Sequence, residues 1–246
     1  MDDPSADAAP LEWTVQARNL PIHARNAIHT DRGAQAAGFP RALVAGVTTY
    51  AYLTHPIVAA WGTTWLDRGG AEVRFRRPVF DQDLVVCSPA TDGADAVLVR
   101  AITSAPEQPR AVLRASPVAA PATELRPGTD LRPIEVVLDG EWGAHYGRDA
   151  GDDLALYDEL GIVHPAVWPA LANQVVHTQV AEGSWVHTRS VIRHHGVVHT
   201  GRAAIVRARI VDRFESHGQR AVLDVHVEVE GAVVASLEHE AIVRLP

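Results

Sequence analysis

From Val47 the apolar positions recur at Tyr50, Ala51, Ile57, Val58 and Trp61, with Thr54 the polar member. Spacing of three and four predicts a helix over 46–61, opened by Gly46 and ended by Gly62. Pro56 lies inside it and removes one backbone donor, so a kink or an unpaired carbonyl is expected there. The pattern then changes to alternation. The runs AEVRFRRPVF, DLVVCSPA, AVLVRAITS and RAVLRASPV read as strands, separated by DQD, TDGAD and SAPEQP, which read as turns or loops.

The same order returns further along. HPAVWPALANQVVHTQV predicts a helix over 165–181, with Pro165 near its first turn and Trp168, Leu171, Ala172, Val175 and Gln179 as its buried stripe. Four more alternating runs follow: VHTRSVIRHH, RAAIVRARIVDRFES, QRAVLDVHVEVEG and AVVASLEHEAIVRL. Gly46 and Pro165 are 119 residues apart, and Trp65 and Trp185, each just before a first strand, are 120 apart. A helix followed by four strands, repeated at one period, is an internal duplication. It divides the chain into a unit at 1–120, a Pro-rich linker at 121–133 and a unit at 134–246. The fold class is α+β. The helix has an apolar stripe and another face mostly of Ala and Thr, so it must be nearly all buried, as by a curved antiparallel sheet wrapped around it.

Composition narrows the chemistry. Apolar residues make up 47% and charged residues 21%, ordinary for a chain with a proper core. A formal charge of −8 without a long basic run argues against nucleic acid. All 22 basic residues are Arg, which excludes a Schiff-base lysine and a phosphate-loop lysine. The single Cys87 allows neither an internal disulfide nor a cysteine metal cluster. No run approaches the roughly 20 apolar residues of a membrane span. The acidic start, MDDPSADAAP, does not read as a signal peptide, so a cytoplasmic protein is expected.

In the first unit, Asn26, Ile28, His29, Asp31, Ala34, Gly38, Phe39 and Gly46 are followed by Phe75, Pro78, Val79 and Asp83. This series resembles the MaoC-like acyl dehydratases and (R)-specific enoyl-CoA hydratases, whose pattern is Gly-Asp-x-Asn-Pro-aliphatic-His, then Gly-Phe, then the opening of a central helix. The likeness runs from Asn26 to Val86; the second unit matches only in layout. The resemblance implies a hot-dog fold, doubled in one chain, and an acyl-CoA or acyl-carrier-protein substrate. It implies no cofactor or metal, and a homo-oligomer, expected as a dimer. It implies His29 as acid or base, Asn26 as the group that fixes the water or the ring, and the Gly46 amide as donor to the thioester oxygen. Tyr50, on the first turn after Gly46, joins it as a substrate contact.

The sequence departs from the pattern where the family carries its Asp: that position is Ala24, and the Gly before it is His23. Asp31 or His23 would then replace the missing carboxylate. Asp31 has a competing reading as the cap of the helix RGAQAAG. Arg74, Arg76 and Arg77 read either as a solvated strand face or as a contact to the phosphates of the carrier. His195 and His199 would lie roughly 13 Å apart along a strand, too far to share a metal. Two functions remain open. One is a dehydratase or hydratase, or a modified reaction in the same pocket; the other is a non-catalytic acyl-binding or partner subunit with a degenerate site.

Overall fold

The alternation along the predicted strands is matched by alternate burial in the folded chain, most regularly from Ala221 to Val229, where every second residue is buried. A computed structural model describes residues 8–93 and 96–246. Most of the acidic start and two residues of the TDGAD turn lie outside them. The first part contains β1 (Trp13–Gln16), α1 (Asp31–Ala36), α2 (Gly46–Arg68), β2 (Gly70–Phe75), β3 (Leu84–Thr91), β4 (Val97–Ile102) and β5 (Ala111–Ser116). Then come β6 (Thr129–Asp130), β7 (Ile134–Val137), α3 (His145–Ala150), α4 (Leu156–Leu160) and α5 (Val167–Gln179). The chain closes with β8 (Val186–His194), β9 (Ala203–Glu215), β10 (Gln219–Val229) and β11 (Ala232–Arg244).

All the strands join one antiparallel sheet in the order β1-β3-β4-β5-β2-β8-β11-β10-β9-β6, with β7 also paired to β9. The order is symmetric about the β2–β8 seam. Replacing each of β2 to β5 by the strand six numbers later gives the other half in mirror sequence. That is the double hot-dog arrangement, two sheets fused edge to edge, each curved over its own helix. The seam holds by pairing Gly70 to Arg193 through Arg74 to Arg189.

Helix α2 packs on β1 to β5 and crosses the seam to β8, while α5 packs on β8, β9 and β11. Tyr50, Ile57 and Trp61 are buried on α2, as are Trp168, Leu171 and Val175 on α5. Each large apolar side chain so placed contributes roughly 1.5–3 kcal/mol by burial. Gly62 does interrupt α2, with φ 57° and ψ −149°, but the helix resumes and ends at Arg68. The break costs little because glycine has no Cβ to clash in that region. The expected stripe of α5 also changes at its end. Gln179 is only half-buried and exchanges two hydrogen bonds with the Arg132 backbone, at 2.8 and 2.9 Å.

The segment between the halves lies against the second one. Arg126 forms ion pairs with Asp224 and Glu238, and Thr129–Asp130 pairs with β9. Among the described residues no helix is long and apolar enough to cross a membrane.

Candidate active site

The stretch before α2 is folded by its own polar side chains. Two short 3-10 turns, Pro21–Arg25 and Ala27–His29, lead into α1, whose N-cap is Thr30: its hydroxyl accepts from Gly33 N–H at 3.2 Å. Asn26 faces inward, donating through Nδ2 to the Trp185 carbonyl at 2.8 Å and accepting from Ile28 N–H at 3.4 Å. His29 shares a 2.8 Å hydrogen bond between Nδ1 and the Leu43 carbonyl. A carbonyl only accepts, so Nδ1 carries the proton and Nε2 keeps a free lone pair. Burial lowers the pKa of His29 against the smaller raising effect of that carbonyl. The ring is therefore neutral near pH 7, with a basic nitrogen available.

His29 lines a cavity of ≈ 260 Å³ together with Asn26, Gly46, Asn173, Trp185 and His187. Gly46 opens α2 there. Thr48 and Thr49 N–H both donate to the Ala45 carbonyl, whereas the first amides of the helix have no intrahelical acceptor. Those amides and the helix dipole favour negative charge at this end of the cavity. Arg76 and Arg77 also line it, on the exposed side, and no hydrogen bond or ion pair of their side chains is found among the described residues. A second, smaller cavity shares Asn26, His29, Asn173 and Trp185 with the first and is also lined by His23.

The candidates from the sequence separate accordingly. Asn26, His29, Gly46, Arg76 and Arg77 come together in one cavity. His23 stands next to it, 5.9 Å from the His29 ring between centroids, with Nε2 3.0 Å from the Tyr146 hydroxyl. Burial, and then the His29 ring, push its pKa down to about 3. Asp31 is exposed and accepts from Ala42 N–H at 2.8 Å, so it braces the loop before α2 and does not reach His29's cavity. Nor is it the cap, since Thr30 holds that place. Tyr50 is fully buried on α2 and lines neither cavity. Arg74 points away and pairs with Glu72 at 2.6 Å. Ala24 is exposed on the first 3-10 turn, so its missing carboxylate leaves no gap beside His29. His195 and His199 have separate partners, Ser236 and the Leu160 carbonyl.

Among the wall residues that sequence reasoning did not find are Asn173 on α5, Trp185 before β8 and His187 on β8. Each has a buried polar atom without a partner, namely Asn173 Oδ1, Trp185 Nε1 and His187 Nδ1. Burial and the adjacent His239 ring hold His187 well below the ordinary imidazole range, against a smaller opposing pull from the Arg189 backbone.

No family model and no curated protein matches the chain. Solved structures do. A conserved hypothetical protein of Mycobacterium tuberculosis with a double hot-dog fold superposes with a TM-score of 0.65 at 13% identity, covering 97% of this chain and 98% of its own. A Chloroflexus aurantiacus protein assigned as a MaoC domain dehydratase gives 0.62 at 11% identity, over 100% and 99%. An acyl-CoA thioesterase II of Mycobacterium marinum gives 0.50 at 13% identity, over 83% and 91%. The likeness establishes the double hot-dog fold.

Proposed function

We propose that this chain is an enzyme of acyl thioesters that adds water to an enoyl thioester or removes it from a 3-hydroxyacyl thioester. The observation that carries the reading is the His29–Leu43 hydrogen bond, which fixes a neutral ring with its Nε2 lone pair free, in the same cavity as the start of α2. In the dehydration direction Nε2 takes the proton from C2, and negative charge builds on the thioester oxygen. The Gly46 end of α2 stabilises that charge. The C3–O bond then breaks, and the imidazolium returns the same proton to the departing hydroxyl, which leaves as water. One group handles one proton in both steps. A carboxylate partner is not required by this balance, which accords with Ala24. Arg76 and Arg77, exposed at the same cavity, would meet the phosphates of coenzyme A or of a carrier-protein arm.

Structural neighbours include both dehydratases and thioesterases, so the test must separate the two. The protein is given crotonyl-CoA, with His29→Ala as control, while the enoyl absorbance and free thiol are followed. Loss of the enoyl signal without thiol, abolished in the variant, supports the proposal. Thiol release would replace it with thioester hydrolysis. Tight binding without turnover would leave an acyl-binding subunit.

A further inference from the structure

His187 is buried, yet its Nδ1 has no partner and it lines the cavity. It also stands at the opening of α2: a Cβ built on Gly46 would lie 3.3 Å from His187 Nδ1. Its other nitrogen is held. Nε2 is 2.8 Å from Ser190 Oγ, and that oxygen is 2.8 Å from Nδ1 of His239. The two rings lie 4.2 Å apart, and His239 Nε2 is buried without a partner. Residues 187 and 190 would face opposite sides of a regular strand. They share the inner face because the register between β8 and β11 slips at Glu240/Ala241.

With Ser190 donating to one ring and accepting from the other, this chain has two proton arrangements. Burial keeps both rings neutral, with His239 pushed down to about 3. Each ring thus has one N–H, and Ser190 has one O–H. In one arrangement His239 Nδ1–H donates to Ser190, Ser190 donates to His187 Nε2, and His187 carries its proton on Nδ1, facing the cavity. In the other, every bond reverses and His239 carries its proton on Nε2, deep in the interior with no acceptor. Either arrangement leaves one buried N–H without an acceptor in the protein; in the first that N–H borders the cavity, where a substrate oxygen can accept it, and in the second it has nothing to meet. The first arrangement is therefore favoured.

From this we infer that His187 donates its Nδ1–H to the thioester oxygen, beside the amide end of α2, as a second oxyanion donor supplied by the opposite half of the chain. The inference rests on the acyl-thioester reading above. No proton leaves His187 during the reaction; it acts as a hydrogen-bond donor that is in place before charge develops. Ser190 and His239 are positioning residues, because they act only by fixing which nitrogen of His187 is protonated.

The test combines kinetics with ¹⁵N NMR of the histidine rings in the unliganded protein. The spectrum should show His187 protonated on Nδ1 and bare on Nε2. His187→Phe removes the donor while keeping a buried ring, and should lower kcat for enoyl-thioester hydration about 100- to 1,000-fold with KM little changed. His187→Gln, which restores an N–H, should recover part of that loss. Ser190→Ala should lower kcat less and alter the His187 ring signals. Should His187→Phe fail to fold, His187→Gln and the wild-type spectrum still decide. An active wild-type protein with His187 protonated on Nε2, or a folded His187→Phe variant with unchanged kcat, overturns this inference alone. A wild-type protein that turns over no acyl thioester removes the functional reading beneath it as well.

Discussion

Asn26 fastens the first half of the chain to the second: its Nδ2 donates to the Trp185 carbonyl at 2.8 Å, across 159 residues of sequence. Its Oδ1 also lies 3.5 Å from Trp185 N. The amide is thus committed to backbone, and its part in the site is to hold the Trp185 wall against the His29 turn. Asn26→Ala should destabilise the protein by about 1–3 kcal/mol, the usual cost of leaving a buried polar group unpaired. Asn26→Asp should be worse, since a carboxylate would face a carbonyl. Chemical denaturation of the three proteins checks the order.

Gly46 is needed for space. A methyl group there would meet His187 Nδ1 and the Phe75 ring, each at 3.3 Å. Gly46→Ala should fold normally, because alanine suits the first turn of a helix. Its turnover of an enoyl thioester should fall by about 100-fold, the scale of a displaced reacting group. Unchanged kcat in this variant would show that substrate does not approach the opening of α2.

The exposed pair Arg76 and Arg77 should act on the carrier and not on the acyl group. Replacing both by Glu should raise KM for a coenzyme A thioester and leave kcat nearly unchanged. The increase should shrink at high salt, since exposed charges are screened within about 10 Å at 0.1 M. A short thioester without phosphates provides the control: its KM should be the same for both proteins.

By sequence alone, Ala24→Asp supplies the carboxylate that the resemblance implies beside His29. In the fold, residue 24 faces solvent, and His23 is the neighbour that turns toward His29. The graft should therefore leave hydration activity unchanged. A substantial gain in rate would mean that the 3-10 turn rearranges to bring the new carboxylate inward.

Acid should unfold this protein early. His23, His194 and His239 are pushed down to about 3 by burial, and His187 is held well below its ordinary value. Each binds a proton more readily in the unfolded chain, where the pKa is about 6.5. Stability is thus fully present above pH 6.5 and is lost as pH falls from there toward 3. Each such group steepens the loss by up to about 1.4 kcal/mol per pH unit. Denaturation midpoints measured between pH 8 and pH 5 should be flat at first and then drop, and His194→Phe should make the drop shallower.

Much of the fold was legible because it depends on periodicity. The stripes of α2 and α5 and the alternation of eight strands are local patterns, and the repeat interval joins them into two units. The short strands β1, β6 and β7 and the helices α3 and α4 were missed, being too short to show a period. The site was half legible. Asn26, His29 and Gly46 lie close together in sequence, whereas Asn173, Trp185 and His187 come from the second half and meet them only in the folded chain. The bulge that brings His187 and Ser190 to one face also breaks the alternation by which an inward residue is recognised.

The symmetry of the sheet would give a chain of this design two equivalent places for a ligand, one at the start of each central helix. At α2 that place is hollow. At α5 it is filled: His164 is fully buried just before the helix, 3.1 Å from Asp152, with the Tyr146 and Tyr157 rings against it. Fusion of the two units has thus let one half become the wall of the other's cavity, and the stoichiometry of the protein should be one acyl group for each polypeptide.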